Sequence, residues 1–204
     1  QSRFYENIIG RSRAFCSVIY PWLKEHFAPR LDNVTEDDFY RMINKSEPSL
    51  IRTEADELTY CLHIMVRYEL EKRMFDGSLT AHDLPAEWNR LYKEYLGIDV
   101  PDDRQGVLQD SHWANGNIGY FPSYAIGSAY GAQYLLELSK VLDVDAVVRS
   151  GDLTPINNWL EDRIWKHGCM KDPVALFESV CGKFDPDCYV AYLEKKFTEV
   201  YGLS

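Results

Sequence analysis

Apolar residues recur at helical spacing along almost the whole sequence, and this periodicity is the feature that most restricts the fold. Phe4, Ile8, Phe15, Ile19 and Trp22 follow one another at steps of 4, 7, 4 and 3 residues, which places them on one face of a helix. The strict alternation of apolar and polar residues that is typical of a half-buried strand is almost absent. The sequence therefore predicts an all-α fold.

Start and stop signals divide this pattern into separate helices. The first is expected from Phe4 to about Pro29, a short one follows Thr35 as N-cap, and the longest is expected from about Leu50 to Phe75. Further helices are expected over the stretches DLPAEWNRLYKEYLG, PSYAIGSAYGAQYLLELSKVL, DVDAVVRSGD, TPINNWLEDRIWKHG, DPVALFESVCG and FDPDCYVAYLEKKFTEVYG. Because the sequence shows no repeat, low-complexity tract or linker, we expect one helical domain over residues 1–204.

Small residues are concentrated in the helix that Pro122 is expected to begin. They are Gly127, Ala129, Gly131 and Ala132. Small side chains let another backbone come close, and we therefore expect close backbone approach along this part of the helix.

The composition argues against several classes of partner. The chain has 32 acidic and 22 basic residues, a formal net charge of -10, whereas binding to nucleic acid needs clustered Lys and Arg. No window approaches the ~18 apolar residues that a membrane span requires. Five cysteines, an odd number, lie mostly within helical patterns, which favours small buried side chains in a reducing compartment. We therefore expect a cytoplasmic protein without a nucleic-acid or membrane partner.

The stretch IRTEADELTY, residues 51–60, is the first segment that could carry chemistry. On the predicted helix, Arg52, Asp56, Thr59 and His63 share a face beside the apolar stripe. The guanidinium of Arg52 can bind a carboxylate through two hydrogen bonds, and Asp56, one turn further on, can fix its orientation. The more common alternative is an ordinary exposed ion pair between Arg52 and Asp56, which contributes a few tenths of a kcal/mol.

The second segment is GVLQDSHWANGNIGYFPSY, residues 106–124, in which Asp110, His112, Trp113, Tyr120 and Tyr124 lie among three glycines. A histidine between an acid and an aromatic residue can carry a proton or donate a hydrogen bond to developing charge. The two tyrosine hydroxyls can donate to the same place. In the alternative interpretation, Trp113 and the tyrosines belong to the core and His112 hydrogen-bonds a buried carbonyl.

Motifs that would identify a reaction directly are absent from the sequence. There is no H-x-x-x-H pair, no G-x-S-x-G stretch, no phosphate-binding loop and no dinucleotide fingerprint. Three cysteines that follow His167, separated by 12 and 7 residues, match no zinc-finger spacing. A metal site built from His63, His112 and nearby acids is a weaker alternative.

Three strings in a fixed order resemble the carboxypeptidase Taq family of zinc carboxypeptidases, also called thermostable carboxypeptidase 1. IRTEADEL at 51–58, QDSHW at 109–113 and GYFPSY at 119–124 match the family's I-R-x-x-A-D-E-L, Q-D-x-H-W and G-Y-F-P-S-Y runs. The opening QSR is similar to the second half of the family's H-E-S-Q-S-R run. The resemblance implies the C-terminal helical part of a mostly helical, zincin-like peptidase.

This resemblance implies a metallocarboxypeptidase that hydrolyses the C-terminal amino acid from peptides and forms a homodimer. In the complete enzyme, zinc, or another divalent metal such as cobalt, is expected on an H-E-x-x-H helix and a later glutamate. These ligands and the general base are expected upstream of Gln1, so we expect no metal ligand and no peptidase activity in residues 1–204 alone. The alternative is a non-catalytic helical module for self-association or protein binding.

The resemblance also implies roles for single residues. Arg52 is expected to bind the substrate's terminal carboxylate, with Tyr120 as a further substrate-binding residue. His112 and Tyr124 are the expected catalytic residues, which hold the substrate or stabilise the tetrahedral oxyanion. The remaining matched residues are expected to support these groups without touching the substrate; they are Asp56 and Glu57 near Arg52, and Gln109 and Asp110 in the loop that presents His112.

Overall fold

The computed structural model describes residues 1–203, and its regular structure is helical. Within this range the α-helices are α1 (Arg13–His26), α2 (Glu36–Ile43), α3 (Tyr60–Phe75), α4 (Leu84–Leu96), α5 (Pro122–Ser139), α6 (Val144–Arg149), α7 (Thr154–Arg163), α8 (Pro173–Cys181) and α9 (Asp187–Tyr201). Residues 1–203 contain no strand, so the predicted all-α fold is confirmed. None of these helices is both long and apolar enough to cross a bilayer.

Several predicted helix boundaries are confirmed because they depend on local capping. Thr35 begins α2 with a capping box, in which its hydroxyl accepts from the Asp38 N–H while the Asp38 carboxylate accepts from the Thr35 N–H. Gly97 ends α4 in the left-handed conformation, with φ 74°. Pro122 begins α5, which has 18 residues and is the longest helix of the described range.

The helix predicted from Phe4 to Pro29 is interrupted, so this prediction is wrong. A π-helical turn comes first and closes with a 2.7 Å hydrogen bond from the Gly10 N–H to the Tyr5 carbonyl. The backbone of Ser12 is then extended, and its hydroxyl accepts from the Phe15 N–H at 3.1 Å. A serine in this conformation is a strong N-cap, which is why a new helix, α1, starts here.

The prediction of one helix from Leu50 to Phe75 is also wrong for the residues before Tyr60. A single 3₁₀ turn covers Arg52–Glu54, and Ala55 is extended, with φ -64° and ψ 141°. The Asp56 carboxylate then accepts from the N–H groups of Leu58 and Thr59 at 2.9 and 3.0 Å. An aspartate that hydrogen-bonds the nearby backbone in this way competes with helix formation. Consequently α3 begins only at Tyr60, and Arg52 and Asp56 do not share a helical face.

The chain divides into two compact units: Gln1–Asn44 together with the part from Gly127 onward, and Lys45–Ile126. The prediction of a single helical domain over residues 1–204 stays a prediction. In the first unit, α1 contacts α2 and α6, and α9 contacts α2. Its main core contains Phe4, Ile8, Ile9, Ala14, Leu138, Val148, Ile156, Trp159 and Leu160.

Close backbone approach along α5 is confirmed at one of the predicted glycines. A Cβ added to Gly131 would lie 3.3 Å from Ile8 Cδ1 and 3.8 Å from Phe4 Cα, so a side chain there would crowd the first unit's core. A Cβ added to Gly127 would meet nothing within 4 Å. The prediction is therefore wrong for Gly127.

In the second unit, α3 packs against α4. The core between them contains Val66, Leu70, Leu79, Trp88, Leu91, Tyr92 and Leu96. A smaller apolar cluster joins Tyr60 and Ile64 of α3 to Phe121, at the end of the loop that follows α4. Because both segments singled out in the sequence lie between residues 45 and 126, this unit holds the candidate site.

Candidate functional site

Two arginines and one carboxylate form a buried cluster in the second unit. Arg52, from the 3₁₀ turn, donates from Nε and Nη2 to Asp110 Oδ1 at 3.0 and 2.5 Å. Arg67, from α3, donates from Nε to Asp110 Oδ2 at 2.6 Å and also pairs with that oxygen through Nη2. The side chains of Arg52, Arg67 and Asp110 are 7%, 0% and 9% exposed, so water screens these charges very little.

The ionised forms of these groups stabilise one another. Burial favours the neutral form of Asp110, but the hydrogen bonds and charges of the two arginines outweigh it and hold the carboxyl pKa below its ordinary value. Burial also opposes the charge on Arg52, yet the hydrogen bond and charge of Asp110 raise its pKa above the ordinary value. The three side chains thus carry one positive charge in excess.

The side chain of Gln109 ties this cluster to its surroundings. Its Oε1 accepts from the Arg52 backbone N–H at 2.9 Å and from Arg67 Nη2 at 3.0 Å. Its Nε2 donates to the Leu50 carbonyl at 3.0 Å and to the Tyr92 hydroxyl at 3.2 Å. One amide therefore connects the loop after α4 with the 3₁₀ turn, α3 and α4.

The guanidinium of Arg52 keeps hydrogen-bonding capacity beyond Asp110. Its Nη1 donates to the Tyr60 hydroxyl at 2.9 Å, and its central carbon lies 5.1 Å from the Tyr124 ring centroid and 5.5 Å from that of Phe121. Asp110 and Tyr60 use three of the five guanidinium N–H groups. One N–H on Nη1 and one on Nη2 are left without a partner in residues 1–203. Guanidinium N–H groups form strong, charge-assisted hydrogen bonds to a carboxylate.

His112 lies beside this cluster, among aromatic rings. Its Nε2 is 3.1 Å from the Tyr124 hydroxyl, and its ring centroid is 4.4 Å from that of Phe121 and 5.7 Å from that of Tyr120. Its Nδ1 is 3.9 Å from Asp110 Oδ1 and finds no hydrogen-bond partner within the described chain. Burial raises the pKa of the Tyr124 hydroxyl, so this group stays a donor at neutral pH. Tyr120 is half exposed.

Asp56 hydrogen-bonds the segment around it and does not contact Arg52. Its carboxylate accepts from the Ser46 hydroxyl at 2.9 Å and from the Thr59 hydroxyl at 2.8 Å, besides its backbone hydrogen bonds. Burial opposes its charge, but these hydrogen bonds hold its pKa below the ordinary value. The predicted pairing of Asp56 with Arg52 is therefore wrong, because Asp110 takes that position.

The model of the Carboxypeptidase Taq (M32) metallopeptidase family matches residues 1–197. The chain belongs to this family. It is 42% identical to Carboxypeptidase 1 of Bacillus subtilis (strain 168) over 203 residues, which cover 98% of this chain and 40% of that protein. It is 42% identical to Thermostable carboxypeptidase 1 of Thermus thermophilus over 205 residues, or 99% of this chain and 40% of that protein. The family resemblance read from the three sequence strings is thus confirmed.

A solved M32 carboxypeptidase structure, from Deinococcus radiodurans R1, has the same fold. It superposes with a TM-score of 0.96 at 38% identity, over 100% of this chain and 41% of that one. The chain therefore spans about two fifths of the length of these M32 relatives, and it corresponds to their C-terminal part.

His63 and His112 are the two histidines of the alternative metal site considered for this M32 chain. Within residues 1–203, no three His, Cys, Asp or Glu side chains are arranged to hold a metal ion. His63 is fully buried, its Nδ1 lies 3.1 Å from the Tyr92 hydroxyl, and burial, reinforced by the charges of Arg67 and Arg52, lowers its pKa to about 4. Within the described part of the chain, His63 and His112 are therefore not brought together with acids into a metal-binding group.

Arg67 and Glu71 belong to the site, although the sequence motifs did not indicate them. The Glu71 carboxylate accepts from the Trp113 indole N–H at 2.8 Å and from the Gly119 N–H at 3.2 Å, and Glu71 is 5% exposed. An Arg and a Glu four residues apart are typical of an exposed helical ion pair. The sequence does contain one signal for them. His63, Arg67 and Glu71 follow one another at steps of four, which places them on one side of the helix, next to its apolar face. Glu57 is also buried in this unit.

Proposed function

We propose that this chain is part of a metallocarboxypeptidase that hydrolyses the C-terminal amino acid from peptides, and that residues 45–126 form the substrate-binding wall of its cleft. The observation that carries the proposal is that Arg52 keeps two N–H groups, one on each terminal nitrogen, after it has bound Asp110 and Tyr60. Family membership supports the reaction class.

The charge of the cluster explains why a free C-terminus would be selected. Arg52 and Arg67 share the single carboxylate of Asp110, so a second carboxylate bound to Arg52 neutralises the excess positive charge. A C-terminal amide, or a peptide bond further along a chain, brings no such charge. Because the cluster is buried, this difference is weakly screened and contributes strongly to specificity.

His112, Tyr124 and Tyr120 are proposed to act on the substrate from the same side. The 3.1 Å contact between His112 Nε2 and the Tyr124 hydroxyl places two groups with hydrogen-bonding capacity next to each other. In the proposal they hold the substrate or donate to the oxyanion of the tetrahedral intermediate. Half-exposed Tyr120 provides substrate contact at the solvent edge.

The metal is proposed to be zinc, or another divalent ion such as cobalt, in the complete enzyme. When bound, it polarises the scissile carbonyl and lowers the pKa of its water towards about 7. The chain offers no group of metal ligands within residues 1–203. We therefore propose that residues 1–204 alone are inactive. A separate proposal, which follows from the family resemblance, is that the complete enzyme is a cytoplasmic homodimer.

Amino-acid release tests this function. A full-length protein that contains this chain, loaded with metal, is incubated with a peptide that has a free C-terminus and with the same peptide amidated. We expect release of the C-terminal residue from the free peptide, little from the amide, and none when the 204-residue chain replaces the full-length protein. Absence of release by the full-length protein would refute the proposed function, and release by the chain alone would refute its inactivity.

A further inference from the structure

The face of α3 that points into the second unit carries Arg67 and Glu71, two buried residues of opposite charge one helical turn apart. Each contacts a different part of the segment from Gln109 to Gly119, which carries His112. We infer that Arg67 and Glu71 are positioning residues, which together fix the place of the His112 ring. The significance of His112 rests on the proposed function, whereas the anchoring of its segment does not.

Arg67 fixes the segment before His112. Its Nε and Nη2 hydrogen-bond Asp110 and Gln109, the residues two and three positions earlier. Its remaining contacts hold it firmly, because Nη1 donates to the His63 carbonyl at 2.7 Å and the guanidinium lies 4.6 Å from the Trp88 ring centroid. Asp110 is thereby tied to the rigid pair of helices α3 and α4.

Glu71 fixes the segment after His112. Its Oε1 accepts from the indole of Trp113, the next residue, and its Oε2 accepts from the backbone of Gly119. The Trp113 ring also packs edge-on against Trp88, with the centroids 6.0 Å apart. Each carboxylate oxygen thus serves one donor, and the two donors lie at separate points of the loop.

The His112 ring packs against the rings of Phe121 and Tyr120 but makes few hydrogen bonds of its own. Within the described chain its side chain makes one hydrogen bond, to the Tyr124 hydroxyl, and its Nδ1 makes none. The position of the ring therefore depends on this packing and on Asp110 and Trp113, which lie two residues before and one residue after it and are both anchored on α3. Since catalytic groups act only when they are held within a fraction of an ångström, the anchors should influence turnover although they do not touch the substrate.

Glu71→Gln tests the anchor with almost no change in side-chain volume. The amide retains one oxygen, so it can accept from Trp113 or from Gly119 but not from both, and its NH₂ group then faces a donor. Trp113→Phe removes the same contact from the other side. The matched control is Glu69→Gln on the same helix. The Glu69 side chain is 38% exposed, and its carboxylate makes a long, 3.5 Å ion pair with Lys72.

Hydrogen exchange in the full-length protein that contains this chain, followed by NMR, is the first measurement. In Glu71→Gln we expect the Trp113 indole or the Gly119 amide to exchange at least about tenfold faster relative to the Leu91 amide in the core of α4, because a buried hydrogen bond to a charged group is lost. Trp113→Phe should also accelerate the exchange of the Gly119 amide. Glu69→Gln should leave the exchange rates of the Trp113 indole and the Gly119 amide unchanged. Unchanged relative rates in Glu71→Gln and Trp113→Phe would overturn the anchoring.

Turnover of the full-length protein is the second measurement. For Glu71→Gln and Arg67→Lys we expect kcat to fall about tenfold or more at equal folded fraction and equal metal content, while Glu69→Gln and exposed Arg90→Lys stay within about twofold of wild type. Faster exchange with an unchanged kcat would overturn the positioning role. If the wild-type protein shows no peptidase activity, the proposed function fails, and exchange alone decides the anchoring.

Discussion

Replacement of Asp110 by Asn is the perturbation whose effect on stability follows most directly from the structure. Asp110 is the one carboxylate that both Arg52 and Arg67 bind, and its side chain is 9% exposed. Asn keeps one acceptor oxygen, but it turns an NH₂ group towards an arginine and leaves two buried positive charges without a counter-charge. Removal of one partner from a buried ion pair costs about 3–5 kcal/mol, a large part of the ~5–15 kcal/mol that stabilises a typical domain.

Acid conditions should reduce the difference between wild type and Asp110→Asn. The pKa of Asp110 is lowered in the folded chain, so its contribution to stability is fully present above its unfolded pKa of about 3.9. This contribution is lost as the pH falls through the lowered folded value. The free energy of unfolding of the Asn variant should therefore fall less steeply below pH ~4 than that of wild type.

Urea unfolding followed by circular dichroism measures both effects. Asp99→Asn is the control, because Asp99 pairs with Lys93 at 2.8 Å but is 85% exposed, and an exposed pair contributes at most about 1 kcal/mol. We expect Asp110→Asn to lose several-fold more stability than Asp99→Asn at pH 7. If the two variants lose the same small amount, Asp110 does not hold the buried arginines, and the account of the site is wrong.

Two further predictions concern a helix cap and the histidine of the site. Thr35→Ala should lower the free energy of unfolding by about 1 kcal/mol, because the capping box of α2 is lost, whereas Thr35→Ser should stay near wild type; equal stability of the Ala variant would contradict the cap. His112→Ala should lower kcat of the full-length protein about 10- to 100-fold while its metal content, measured by atomic emission, stays unchanged. Loss of metal from this variant would mean that His112 has a different role.

Helix boundaries could be predicted from the sequence where the deciding interaction is a well-known cap. Thr35, Gly97 and Pro122 begin or end helices in the structure as their residue types indicate. The breaks at Ser12 and Asp56 were missed because apolar periodicity dominated the interpretation there. Both breaks arise from a side chain that accepts a hydrogen bond from the backbone three residues later, and Ser and Asp side chains are able to compete with helix formation in this way.

The site was only partly predictable because its main contacts join residues that are far apart in the chain. Arg52 and Asp110 are separated by 58 residues, so spacing alone favoured the nearby but incorrect partner Asp56. Arg67 and Glu71 have the spacing of a surface ion pair, yet each bonds a residue more than 40 positions away. Such pairings depend on how the loop after α4 folds back onto α3, and helical periodicity contains no information about that.

The carboxylate preference of an Arg52→Ala variant is the measurement that tests the central claim most directly. In the full-length protein, kcat/KM is determined for one peptide with a free C-terminus and for its amide, with exposed Arg90→Ala as control. Because a ratio measured on one preparation is independent of its folded fraction, it isolates recognition of the carboxylate. We predict that Arg52→Ala lowers the preference for the free carboxylate about 100-fold or more, the loss expected for a buried charge pair. An unchanged preference would contradict the claim that Arg52 binds the C-terminus of the substrate.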